Sequence, residues 1–458
     1  MRAFARQMAE RMKAVAAAGA VAAFWLAVWV FAAALVAQPL IFPGPGAVVV
    51  ALLRLVCDAA TWAILAGSGA RILGGLALAA VCGGVLAGAS VRSRTFARLV
   101  APALSFVKAT PVACVVVLLL IWLGSARVSI AAVFLMALPG VYFSLVEGLT
   151  QADKPLEQMF RLHGVRGWRL FCAHTWREVL PFVLSCARAV IGMSWKAGVA
   201  AELIGMAVGT VGERIYQAKL LIETADLLAW TVLVVAASWA CERVLVWLLR
   251  VSGPVAWRAA VRAHGHGLRG RAGAASDGAA AELALAVGDR APWAPALDGL
   301  ALNVPAGGRI CVMGASGMGK STLLSLAAGE CAPCSMVLQD ARLVEGASAL
   351  DNVLVCADAR VGASSAAALL RRLVPGIDVH SRVAELSGGQ RRRVEIARAL
   401  LCPGGAVILD EPFTGLDAAA RDATTKVVLD LLDSRTLLLA THDVVDAQAL
   451  DISDIITL

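Results

Sequence analysis

Three short stretches of this sequence place small, polar and charged residues where they could act together on a polyphosphate. In RICVMGASGMGKSTLL an apolar run leads into Gly314, Ala315, Ser316, Gly317, Met318, Gly319, Lys320 and Ser321, with Thr322 and a helical pattern behind them. The order G-x-x-x-x-G-K-S describes a phosphate-binding loop. Its glycines let the backbone turn tightly and aim N–H groups at phosphate oxygens, and the positive end of the following helix reinforces them. Lys320 would reach the β- and γ-phosphates, and the Ser321 hydroxyl would ligate Mg2+.

Farther on, GAVILDEPFTGLD reads as a fully buried strand over 406–409 that ends in Asp410 and Glu411. Paired acids at the carboxyl end of a strand suit a metal-nucleotide site. Asp410 would hold Mg2+, directly or through water, and Glu411 would polarise the attacking water as general base. Between the two stretches lies LSGGQRRRVEIARAL, where a Ser hydroxyl and glycine amides open a helix, a second anion site without a lysine.

Leu386, Ser387, Gly388, Gly389 and Gln390 match every position of the core signature of the ATP-binding cassette (ABC) family, and on that string the second half of the chain resembles this family. The resemblance implies that Ser387, Gly388, Gly389 and Gln390 close over ATP held by the phosphate loop of an opposite copy, hence a homodimer with two ATP molecules at its interface. It also implies that Gln339 in MVLQDARL is the Q-loop glutamine, beside Ser321 and Asp410 at the Mg2+. Asp417 would then be the D-loop aspartate and His442 in LLLATHD the switch histidine at the γ-phosphate. Lys320 and Gln339 are only 19 positions apart, shorter than is usual in the family, so most of an antiparallel strand segment should be missing. The adenine-stacking aromatic has no clear counterpart: Val287 falls near its place and Trp293 is a candidate substitute.

Composition says where these motifs must sit. The chain is 59% hydrophobic and 16% charged, and residues 14–53 carry no Lys, Arg, Asp or Glu, whereas the sequence from Glu282 onward mixes charges as soluble domains do. Apolar runs over 14–36, 73–91, 109–126 and 128–146 approach or exceed the length an α-helix needs to cross a bilayer. A fifth, 179–206, contains Arg188, Lys196 and Glu202, and a sixth covers 227–249. Three charges facing lipid would cost on the order of 9 kcal/mol, so they should not face it: either the end residues snorkel to the interface or at least one lines a polar path. Arg2, Arg6, Arg11 and Lys13 precede the first run, which is too long for a signal peptide and reads as an uncleaved anchor. Basic residues after the second and fourth spans place those loops in the cytoplasm, and six crossings return the chain there. The net charge of +8 lies beside apolar spans without interleaved aromatics, which fits anionic lipid and excludes nucleic acid as a partner. Eleven scattered Cys residues, including the lone C-x-x-C at Cys331 and Cys334, read as small hydrophobes in a reducing compartment.

Residues 43–250 resemble the permeases of nitrate, sulfonate and taurine importers, on PGPGAVVVALLRLV, GSGARILGGLALAAVCGGVLAG, VKATPVACVVVLLLIWLG and SWKAGVAAELIGM. In that family a cytoplasmic loop carries a coupling helix marked by an E-A-A run and a later Gly. Here Gly164 and Trp168 match, Gln158, Met159 and Phe160 occupy the E-A-A positions, Glu157 sits one place early, and Trp176 and Arg177 replace the first Leu-Pro.

The expected architecture is an α-helical transmembrane bundle of six helices over 1–251, a Gly/Ala/Arg/His-rich flexible linker over 252–281, and an α/β P-loop NTPase domain of ABC type over 282–458. The resemblance implies a homodimeric, ATP- and Mg2+-dependent importer half in a bacterial inner membrane, multi-pass with its ATPase domain in the cytoplasm. It would be served by a periplasmic solute-binding protein and carry a small solute such as a sulfonate or nitrate. The shortened cassette and altered coupling run leave a regulatory, non-transporting membrane ATPase as the alternative.

Overall fold

A computed structural model describes residues 2–263, 281–287, 297–315, 317–331, 334–340 and 342–458. They divide into two compact units, Met1–Gln151 with Val179–Arg250, and Ala152–Glu178 with Val251–Leu458. Ser316, Trp293 and the linker positions 264–280 lie outside the described residues.

The first unit is helical: α1 (Arg2–Val36), α2 (Pro45–Cys57), α3 (Ala59–Arg92), α4 (Arg94–Ala109), α5 (Val112–Leu123) and α6 (Ser125–Gln151) precede the 152–178 loop. Among the described residues five helices are long and apolar enough to span a membrane, or six if the pair α4 and α5, bent by 104°, counts as one. The third span, expected as a single run over 109–126, is therefore broken. Thr110 precedes Pro111, and a residue before proline is pushed out of the helical region; Thr110 takes φ −74°, ψ 130° and ends α4. Helices α3 and α6 approach closely along small residues: a side chain at Gly75 would lie 2.5 Å from the Ile130 carbonyl oxygen. In lipid, which offers no hydrophobic drive between helices, such backbone proximity is how spans associate.

The loop contains α7 (Lys154–Leu162), α8 (Gly167–Leu170) and a π-helical turn, Phe171–Thr175, which runs into α9 (Trp176–Gly205). α10 (Val211–Leu220) and α11 (Thr224–Arg262) follow. The flexible segment expected from Ser252 is instead helical through Arg262, because WRAAVR continues the helical pattern of α11: Trp257 and Ala260 are buried on one side of it.

The second unit is a doubly wound α/β layer. Its elements are β1 (Leu283–Ala286), β2 (Ala301–Val304), β3 (Arg309–Met313), α12 (Lys320–Glu330), β4 (Ser335–Val337), α13 (Ala349–Leu354), α14 (Ala363–Leu373), α15 (Gly388–Leu401), β5 (Ala406–Asp410), α16 (Ala418–Leu432), β6 (Thr436–Ala440), α17 (Val444–Ala449) and β7 (Asp454–Thr457). Five strands form one parallel sheet in the order β4-β5-β6-β3-β7, and β1 pairs antiparallel with β2 in a separate ribbon. Every position of β5 and β6 is buried, as a strand covered on both faces requires. One core packs α12 against the sheet through Leu323, Leu324 and Ile408, and another packs α14, α15 and α16 through Leu370, Val394 and Val428. α12 passes almost directly into β4, so the described residues between Lys320 and Gln339 hold no antiparallel strand. The ends of β3, β5 and β6 come together at one edge, where ligands of open parallel sheets bind.

Candidate nucleotide-binding site

The phosphate loop joins β3 to α12. Gly317 and Gly319 have φ of +87° and +94°, left-handed values that turn the chain sharply into the helix. Gly319 caps α12 without a side-chain hydrogen bond, so the first-turn N–H groups at Lys320, Ser321 and Thr322 stay available to an anion. The Lys320 ammonium folds back over the loop, donating to the carbonyls of Gly314 at 2.7 Å and Ala315 at 3.1 Å. Ala315 and Met318 complete the turn through the Met318 N–H to the Ala315 oxygen.

Asp410, at the end of β5, is buried, and burial pushes its carboxyl up from the ordinary range. The Ser321 hydroxyl hydrogen-bonded to it works in the opposite direction, the Glu411 charge adds to the rise, and Arg392 and Lys320 oppose it. Ser321, Asp410 and Gln339 line one cavity of about 470 Å³. Hydroxyl, carboxylate and amide oxygens together are the hard donor set that suits Mg2+, and the uncapped α12 amides with Lys320 suit the phosphates of ATP. The residues present therefore fit both groups.

Glu411 holds a left-handed backbone, φ +45°, with its N–H donated to the Ala440 carbonyl of β6 at 2.9 Å. One carboxylate oxygen lies 3.3 Å from His442 Nδ1, and the other accepts from the Thr414 hydroxyl at 3.3 Å. A strained backbone at this acid fits a site where geometry outweighs local comfort. Glu411 and His442, on neighbouring strand ends, thus share one hydrogen-bonding station. Ser387 caps α15 in a capping box with Gln390, and Gly389 sits so tightly on the Gly415 carbonyl that an added side-chain carbon would lie at 3.2 Å. Asp417 caps α16 by accepting from the Ala420 N–H at 2.7 Å. Gly388 faces open space, and this second cluster contributes nothing to the Ser321–Asp410 cavity.

One feature escaped sequence reasoning. Arg392 reaches from α15 to the carbonyls of Asp410, Glu411 (2.8 Å) and Pro412 (3.2 Å), clamping the chain that carries both acids. Its partner Glu395 is buried between Arg392 and Arg398, and the i, i+3 spacing of these charges on one helix face was the signal available. The 152–178 loop, where the sequence places the coupling helix, packs within the same unit. Met159 and Phe160, standing where the E-A-A run would be, are buried against Val344, Val355 and Trp257. The Leu162 carbonyl accepts from the Cys334 N–H at 3.1 Å, and Arg169 donates to the Val355 carbonyl at 2.9 Å. Val287, which falls near the place of the adenine-stacking aromatic, is packed in the core under α12 and offers no face to a base.

Comparison with known proteins agrees with both halves. Residues 80–255 match the family described as "Binding-protein-dependent transport system inner membrane component", and residues 297–414 match "ABC transporter". The "Aliphatic sulfonates import ATP-binding protein SsuB" of Escherichia coli (strain K12) is 38% identical over 178 residues, 34% of this chain and 68% of that protein. The "SsuB 1" protein of Paracoccus denitrificans (strain Pd 1222) is 36% identical over 179 residues, 36% of this chain and 72% of that protein. The solved structure titled "Dimeric Structure of MJ0796, a Bacterial ABC Transporter Cassette" aligns at 24% identity and a TM-score of 0.33, over 39% of this chain and 91% of that one. The chain spans about two thirds of the length of the curated relatives it matches. With the phosphate loop, the paired acids and the signature serine in place, the chain belongs to the ABC transporters, as an importer-type permease fused to its own ABC ATPase domain.

Proposed function

We propose that two copies of this chain form an ATP-driven importer of a small solute in the inner membrane, each copy supplying permease and ATPase. The observation that carries this reading is the meeting of Lys320, Ser321, Asp410 and Gln339 in a unit whose core also contains the 152–178 loop. Transport needs nucleotide chemistry to be felt by the permease, and this loop lines the same cavity through Gln158, Arg161 and Arg166.

Lys320 and the α12 amides grip the terminal phosphates. Ser321, Asp410 and Gln339 would hold Mg2+, which when bound would supply charge neutralisation to the phosphates. Glu411 accepts the proton of the attacking water while His442 holds that carboxylate in place. Ser387 and Gly388 of the opposite copy complete the pocket, so that occupancy draws the two cassettes together. Met159 and Phe160 carry that movement into the loop, and the permease opens toward a periplasmic solute-binding protein. The sulfonate relatives favour a small organic or inorganic anion, a sulfonate or nitrate.

Replacing Glu411 with Gln in the reconstituted protein tests the site. Removal of a general base costs about 100- to 10,000-fold in turnover, and ATP should then trap a stable dimer, read by size-exclusion chromatography. Undiminished hydrolysis would refute the assignment of the base.

A further inference from the structure

The exposed side of α9 does not look like a surface made for lipid. With about 100° of turn per residue, its buried positions, from Val190 through Trp195 to Glu202, occupy one side of the helix. The opposite, exposed side presents Pro181, Ser185, Arg188, Ala189 and Lys196 together with the apolar Met193 and Ile204. The exposed positions named on other spans carry no charge: Leu78, Val81 and Val85 on α3, and Val235, Trp239 and Trp247 on α11.

The two cations sit deep. From Val179 to Gly205 the helix runs about 39 Å at 1.5 Å per residue, and each cation is about 13 Å from one end. A hydrocarbon core of about 30 Å centred on that length would bury both by about 9 Å. Facing lipid they would together cost on the order of 6 kcal/mol. Among the described residues neither makes an ion pair with a carboxylate. Glu202, the acid on the same helix, points to the buried side and is already held by Arg71 at 3.1 Å and Ser68 at 2.8 Å.

We propose that this side of α9 lines the aqueous passage and that Arg188 and Lys196 are its anion-selecting residues, their occupant a small oxyanion of the sulfonate kind. The inference rests on the reading of two copies around a shared passage, in which four cations would face one solute. Planar guanidinium N–H groups match an oxyanion's oxygens in pairs, and the ammonium adds a point charge about two turns, roughly 12 Å, farther along the path. Small neighbours, Ser185 and Ala189, leave room for the ion, and a neutral or cationic solute would gain nothing from this lining.

The test uses the full-length chain in vesicles of neutral phosphatidylcholine, so that no anionic headgroup can occupy the face. Arg188→Cys and Lys196→Cys are each treated with membrane-impermeant methanethiosulfonates, one bearing a sulfonate and one a trimethylammonium group, with labelling of the chain's own cysteines subtracted. Both positions should react, and the anionic-to-cationic rate ratio at each should fall several-fold when the other cation is changed to Gln. Absence of reaction without nucleotide, with ATP and during turnover would put the face against lipid and overturn the proposal. A ratio indifferent to the second cation would overturn it too. Uptake of labelled methanesulfonate is measured in the same vesicles with the wild-type chain: no uptake alongside an intact ratio would sink the sulfonate-import reading while supporting the cationic lining.

Discussion

Two fully buried carboxylates, Glu395 in the cassette and Glu202 in α9, are neutralised in different ways. Glu395 accepts from Arg392 at 2.8 Å, from Arg398 at 3.3 Å and from the Arg342 N–H at 3.2 Å. Both guanidiniums are almost fully enclosed, with side-chain exposures of 6% and 1%. Burial raises the Glu395 carboxyl above its ordinary range against the pull of Arg398 and Arg392, so the charged form depends on both arginines. Glu202 accepts from the Ser68 hydroxyl, from Arg71 and, at 3.4 Å, from the Gly212 N–H. Arg71 keeps 27% of its side chain exposed. The cassette cluster is closed to water and has one positive charge to spare, whereas the permease cluster is balanced and has a way out. The first serves as a rivet under the catalytic strand end, because Arg392 also holds the Asp410, Glu411 and Pro412 carbonyls.

The largest effect should follow Glu395→Ala. Two guanidiniums would lose the buried carboxylate they share, and removing one partner of a buried pair costs about 3–5 kcal/mol. Thermal or denaturant unfolding in detergent should show that loss, and ATP hydrolysis should fall with it as the strand end loosens. A loss below about 1 kcal/mol would mean that Arg392 and Arg398 find water, and the contrast with Glu202 would collapse.

Glu202→Gln should cost less, about 1–2 kcal/mol. The amide can still accept from Ser68 and Gly212, and Arg71 can turn its charge toward its exposed side. An Arg71→Gln and Glu202→Gln double-mutant cycle measures the coupling directly. If that coupling matched the cost of Glu395→Ala, the permease cluster would be as closed as the cassette's.

How much of this could be read beforehand depended on whether chemistry or packing chose the residue. Gly314 to Ser321, Asp410, Glu411 and Ser387 were legible because phosphate and metal demand given residue types at given spacings along the chain. Arg392, Glu395 and Arg398 were not, since QRRRVEIARAL reads equally well as a solvated basic face, and only the strand end lying beneath it makes the arginines structural. The 152–178 loop was ambiguous for a related reason. An amphipathic basic helix suits a membrane surface as well as a protein groove, and its partners, Cys334 and Val355, are far away in sequence. Hydropathy found the third span but missed its break, because the Thr110–Pro111 constraint is steric and leaves apolarity unchanged. At the adenine position the sequence offered Val287, a residue that the fold had already used in its core.

The smallest predicted effect uses the spare positive charge of the cassette cluster. His163, at the end of α7 in the 152–178 loop, is buried, with Nδ1 2.8 Å from the Met159 carbonyl and Nε2 unpartnered. Burial pushes its pKa down from 6.5 to about 3, the Arg398 charge adds to the fall, and the bond to Met159 opposes it. Between those values the unfolded chain binds a proton that the folded chain refuses, so stability rises with pH across this window and is lost on acidification below about 6.5. The slope approaches about 1.4 kcal/mol per pH unit in the middle of the window, and the step from pH 6.5 to 5.5 amounts to about 1 kcal/mol. In His163→Gln that share of the slope should vanish while the amide keeps a donor for Met159. Thermal midpoints of the two proteins at pH 7.5, 6.5 and 5.5 check it. Parallel curves would mean that His163 takes up its proton in the folded state, and that the loop seam is open to water where the carboxylate beside Arg398 is not.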